Sequence, residues 1–237
     1  MVILLAGLAV AAGALLQGAV GFGLALVAAP VLVLLEPAFV PVPLLAVVTV
    51  HALLALRRER GEADWRGVGW AVLGRLPGIA IGVLAVAALS RRAFAVLVGA
   101  TVLLAALVSV VRWRPRPTPP ALLVAGLVSG IGGTATAIGG PPVALLYQDE
   151  HGARVRATLA AYFAVGAVLS LGGLAVGGLV TLDALRATVL LAPFMVAGFL
   201  LSGPVRRLLD RGWTRPAVIG VSGVAGLAVL AQAAFAG

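Results

Sequence analysis

Residues 17 to 30 read QGAVGFGLALVAAP and interrupt an apolar run that otherwise extends from Val2 to Leu35. About 20 apolar helical residues cross a bilayer core, whereas glycine in a helix interior costs about 1 kcal/mol relative to alanine. Gly18, Gly21 and Gly23, with Phe22 between the last two, therefore predict a break inside a membrane segment. A chain broken there either kinks and continues across the membrane or turns back, and that choice decides the fold.

The same grammar recurs at residues 129 to 142, SGIGGTATAIGGPP, with Gly130, Gly132, Gly133, Gly139, Gly140, Pro141 and Pro142. Laying residue 17 on residue 129 matches Gly18 with Gly130, Gly21 with Gly133 and Pro30 with Pro142. With four residues inserted, PGIAIG at 77 to 82 falls on PFMVAG at 193 to 198. Weak internal symmetry of this kind marks transporter folds. It predicts one transmembrane domain over residues 1 to 237, a first repeat over 1 to 111, an Arg/Pro linker over 112 to 120 and a second repeat over 121 to 237.

Composition places the whole chain in lipid: 62% of the 237 residues are hydrophobic, 11% are charged, and the mean hydropathy is +1.16. The net charge of +9 would suggest nucleic acid in a soluble protein. Here all 17 basic residues are arginines and nearly all lie between apolar runs, so they report topology, and no nucleic-acid partner is expected. With no cysteine, disulfides, thiolate chemistry and Cys metal sites are excluded. The N-terminus lacks the basic region of a secretory signal and reads as retained.

The apolar segments are 2 to 35 (broken), 39 to 56, 67 to 89, 93 to 111, 121 to 147 (broken), 157 to 180, 187 to 205 and 217 to 236. All are helical candidates, because an open sheet leaves its backbone unsatisfied in lipid. If each broken segment crosses once, the loop arginines divide eight against eight; if each returns to its starting side, they divide thirteen against three. The positive-inside rule favours the second arrangement. Lengths agree, since residues 2 to 16 and 24 to 35 make helices of only about 22 and 18 Å. The fold expected is all-helical and polytopic: two repeats in inverted topology, each a Gly-rich broken helix or hairpin plus three spans, with both termini outside.

Non-helical backbone at membrane depth persists only where protein buries it or it lines a cavity. With Pro30 or Pro142 in the first turn of a returning limb, that limb's free N–H groups and dipole face the break and suit a small anion. The plainer alternative is that the glycines permit close helix packing, as the GLVSG spacing at 126 to 130 also suggests. Arg75 lies eight residues into its span, about 12 Å deep, where an isolated cation either faces a cavity or substrate or snorkels to the interface. His51, at similar depth, either relays a proton or is a hydrogen-bonded structural residue. Gln17, Ser129, Thr134 and Thr136 place amide and hydroxyl groups in the breaks. No nucleophile–base pair, phosphate loop or metal spacing appears, so neither enzyme activity nor a cofactor is expected.

QGAVGFGLALVAAPVLVLL and SGIGGTATAIGGPPVALLY, with ADWRG at 63 to 67 and RLPGIAIG at 75 to 82, resemble the sulfite exporter TauE/SafE family of membrane permeases. The resemblance covers nearly the whole chain. It implies a bacterial or archaeal inner-membrane transporter of small sulfur-containing anions such as sulfite or organosulfonates, with the glycine and proline positions above as the substrate region. Three functions follow in order: a secondary transporter working by alternating access, a passive anion channel of the same fold, and a membrane scaffold or enzyme, which the lack of reactive side chains disfavours.

Overall fold

The computed structural model describes residues 1–110 and 115–209; the segment at 217 to 236 and the outermost arginines of the second half lie outside them. The described residues form nine α-helices: α1 Val2–Val20, α2 Leu24–Leu35, α3 Val42–Glu59, α4 Trp65–Ala88, α5 Arg91–Val110, α6 Pro119–Thr136, α7 Gly140–Leu146, α8 Gly152–Val176 and α9 Leu182–Leu209. Six stretches are long and apolar enough to cross a membrane: α1, α4, α6, α8, Pro37–Glu62 around α3, and Leu182–Pro204 of α9. The chain is a multi-pass membrane protein.

Both broken segments turn back on themselves. A Cβ built on Gly13 of α1 would lie 2.6 Å from the Leu24 carbonyl oxygen, so α2 begins beside the middle of α1 instead of beyond its end. Likewise a Cβ on Gly139 would lie 2.9 Å from the Ser129 carbonyl oxygen and 3.1 Å from the Gly133 Cα. The first limbs are longer than expected, however. α1 continues through Gly18 to Val20, and α6 continues through Gly130, Gly132 and Gly133 to Thr136. The reason is neighbouring helices: Gly18 packs on Ser202 of α9, and Gly130 packs on Gly78 and the Arg75 carbonyl of α4. Close backbone approach offsets glycine's entropic cost, so these glycines act as packing surfaces inside a continuous helix.

The true interruptions are only three residues each. In the first, Gly21 and Gly23 have φ of 102° and 126°, values that side chains disfavour, and they reverse the chain around Phe22. In the second, Ala137 carries the left-handed turn at φ 62°. Pro30 does not begin the returning limb; it is the seventh residue of α2, which starts at Leu24. Pro142 is the third residue of the short α7.

Contacts fix the helix directions. Gly74 meets Leu123, Gly78 meets Leu127, and Gly82 meets Ile131, so α4 and α6 run parallel. Gly7 meets Phe194 and Ala11 meets Gly198, so α1 and α9 run parallel. α3 joins α9 in direction, with His51 beside Phe199 and Arg58 bonded to Ser202. α8 joins α4, with Arg75 bonded to Ser170 and Val83 against Gly177. At one end α3 arrives where α4 and α8 depart: Arg156 pairs with Glu59, and the Asp64 N–H donates to Thr158 Oγ1 at 3.0 Å. Thus α1, α3 and α9 run toward this junction, and α4, α6 and α8 run away from it.

Candidate functional site

Two breaks meet between these bundles. A Cβ on Gly140 would lie 3.3 Å from the Phe22 Cβ and 3.1 Å from the Phe163 ring. A cavity of about 20 Å³ between them is lined by Gln17, Phe22, Gly23, Gly139, Gly140, Pro141 and Phe163, among others. On the junction side of Gln17 and Phe163 lies a second cavity of about 10 Å³, room for roughly one water. Its wall holds Gly18, Gly21, His51, Arg58, Glu59 and Arg156.

Gln17 fastens the first break. Its Oε1 accepts from the Leu24 N–H at 3.2 Å, satisfying one free donor at the start of α2, and its Nε2 lies 3.2 Å from His51 Nδ1. The other imidazole nitrogen, Nε2, lies 2.9 Å from the Ala14 carbonyl oxygen. A carbonyl only accepts, so Nε2 carries the proton and Nδ1 accepts from the Gln17 amide. His51 is therefore a neutral ring bonded at both nitrogens.

Arg75 does not snorkel: it is 2% exposed, wedged between α6 and α8. Its Nη1 donates to Ser129 Oγ at 3.2 Å and Tyr162 Oη at 3.0 Å, and its Nη2 donates to Ser170 Oγ at 3.1 Å. Thr134 Oγ1 lies 2.8 Å from Ser170 Oγ, and Tyr162 Oη donates to Ser129 Oγ at 2.7 Å. Ser129 in turn donates to the Gly139 carbonyl, tying the cation to the second break. Gly133 and Gly166 leave room for the guanidinium, since a Cβ at either would lie within 2.8 Å of it. No carboxylate bonds to Arg75 among the described residues, and its buried Nε has no acceptor. Among the described residues, hydroxyl dipoles and the Tyr162 ring, 5.2 Å from the guanidinium carbon, thus surround the buried guanidinium without a bonded carboxylate.

The remaining expected residues divide. Thr136 closes the second turn, accepting from the Ile138 N–H at 3.3 Å and donating to the Gly132 carbonyl at 2.8 Å. Gly132 and Pro142 face an apolar hollow beside α5, and Pro30 lies inside α2, so these three stand away from the cavity between the breaks. The sequence reading missed Tyr162 and Ser170, which complete the Arg75 cage, and Arg58, Glu59 and Arg156, which line the junction-side cavity. Only the interruption of apolar α8 by hydroxyls at one-face spacing pointed to the first pair.

An all-helical, multi-pass membrane fold with two re-entrant breaks and a buried cation that no described carboxylate bonds is an architecture suited to membrane transport. The family model described as Sulfite exporter TauE/SafE matches residues 5–229, and the chain belongs to that family. The family is one of transporters. No curated protein and no solved structure was found to match it.

Proposed function

We propose that the protein is a secondary transporter that moves sulfite or small organosulfonates across the inner membrane by alternating access. The observation that carries this reading is Arg75, buried, caged by hydroxyls and tied through Ser129 to the second break. A permanent cation without a carboxylate favours an anion over a neutral solute or a cation. The residues around the two breaks, Gln17, Gly21, Phe22, Gly23, Ser129, Gly139 and Gly140, form the substrate region.

The two halves are taken as inverted repeats. Support comes from helix direction: α1 and α6, α3 and α8, and α4 and α9 hold matching sequence positions and run oppositely. The arginine distribution favours a cytoplasmic junction and an N-terminus outside. The cavities of about 10 and 20 Å³ are too small for an open aqueous pore, so the route is closed in this state. Proton uptake by His51 at Nδ1 would require the Gln17 amide to give up its hydrogen bond there, while the Nε2–H bond to the Ala14 carbonyl could persist.

The test is uptake of labelled sulfite by proteoliposomes, with and without a proton gradient. Saturable uptake that accumulates sulfite against its gradient is expected; Arg75→Lys, which keeps charge but loses the planar fork, should lower it about tenfold or more. Flux that never exceeds equilibrium would replace the carrier with a channel, and absence of flux for every small anion would overturn the reading.

A further inference from the structure

Arg156 begins the first turns of α8 and holds Glu59 at the end of α3 in a two-pronged pair: Nε donates to Oε2 at 3.0 Å and Nη2 donates to Oε1 at 2.9 Å. Both side chains are 16% exposed, so the pair is largely shielded from solvent screening. It forms part of the wall of the junction-side cavity, with Arg58 alongside, its guanidinium carbon 3.6 Å above the Phe199 ring. The cavity floor is Gln17 and Gly18, and Gln17 together with Phe163 also lines the cavity between the breaks. Gly21 bears directly on this pair, because a Cβ there would lie 3.1 Å from the Arg156 Cα. One ion pair thus bridges the two bundles, overlies the first break and borders a cavity lined by two arginines.

A guanidinium fork binds any anion with two coplanar oxygens as it binds a carboxylate. We propose that Arg156 is an oxyanion-capture site at the mouth of the route, and that Glu59 is its built-in competitor: a sulfonate or sulfite takes the carboxylate's place on the fork and occupies the cavity beside it. The proposal rests on the transporter reading for its purpose but not for its test.

The chain's lack of cysteine makes the test direct. A single cysteine replaces Ala55, a partly buried residue lining the same cavity, and its alkylation by a maleimide is followed in the purified full-length protein in lipid. Methanesulfonate is the probe and gluconate the ionic-strength control. Glu59→Gln should raise the alkylation rate in the absence of probe and lower the methanesulfonate concentration needed for half-protection, by about tenfold for the loss of a charged hydrogen-bonding competitor. Arg156→Gln should raise the alkylation rate but abolish protection. Equal half-protection in Glu59→Gln and the parent, or protection that survives Arg156→Gln, would overturn the site. Thermal melting of each variant separates misfolding from these results, and Arg156→Lys supplies a folded substitute if Arg156→Gln fails to assemble: it should weaken protection without abolishing it. Sulfite flux without protection overturns the capture site alone; protection without flux supports it and overturns the transporter reading.

Discussion

Arg75 keeps its charge at membrane depth through a short chain of hydroxyls, so its cost is shared among α4, α6 and α8. Tyr162→Phe removes both an acceptor for Nη1 and a donor to Ser129. It should destabilise the protein by about 1–3 kcal/mol, read as a lower melting temperature in detergent, because Arg75 is then left under-bonded in a dry site. Gly21→Ala meets both a backbone at φ 102° and the Arg156 Cα, and should cost about 1–3 kcal/mol in the same assay. His51→Ala leaves the Ala14 carbonyl and the Gln17 amide unpaired. It should lower the melting temperature, and if His51 only braces Gln17, the acceleration of uptake by a proton gradient persists. Arg75 was legible in the sequence because a lone arginine in an apolar run is conspicuous. Tyr162 and Ser170 were not, since hydroxyls are ordinary in membrane helices and theirs matter only once α8 lies against α4.

At the scale of elements, glycine clusters did two jobs that the sequence could not separate. Most of them fit one helix against another: a Cβ on Gly74 would overlap the Leu123 carbonyl, one on Gly126 the Ala71 carbonyl, and one on Gly198 the Ala11 carbonyl. Only Gly21 and Gly23 reverse the chain by positive φ in the first break, and in the second an alanine does so. Composition reveals where the backbone must come close to something, but not whether that neighbour is another helix or the chain's own return. Accordingly α1 and α6 reach further than the glycine count implied, and Pro30 proved to be an interior residue. Gly126→Leu should force α4 and α6 apart and prevent assembly, measured as loss of a monodisperse peak after solubilisation; Gly69→Leu, at a glycine with open space around its Cα, should be tolerated.

Across the whole molecule, the turn-back of both breaks fixes which surfaces share a side. Ala38 follows α2, at the end where α1 begins, whereas Gly152 opens α8 at the junction. Single cysteines at these positions should be labelled by a membrane-impermeant reagent from opposite faces, Ala38 from outside and Gly152 from inside. Labelling of both from one face would mean that a break crosses instead of returning. The arginine distribution made this parity readable from sequence, because loop charge depends only on how many times the chain crosses. The pairing of α1 with α9 and α4 with α6 was not readable, since it joins residues from different ends of the chain.

That pairing has a consequence for how the protein is made. α1 emerges from the ribosome before the other described helices, yet the glycine-bearing face through Gly7, Gly13 and Gly18 is matched partly by α9, the last of them to be synthesised. For most of translation the opening helix stands in lipid with part of its contact surface bare, and α4 waits similarly, though only until α6 appears. The described bundle therefore does not mature half by half; it closes when α9 reaches back to α1.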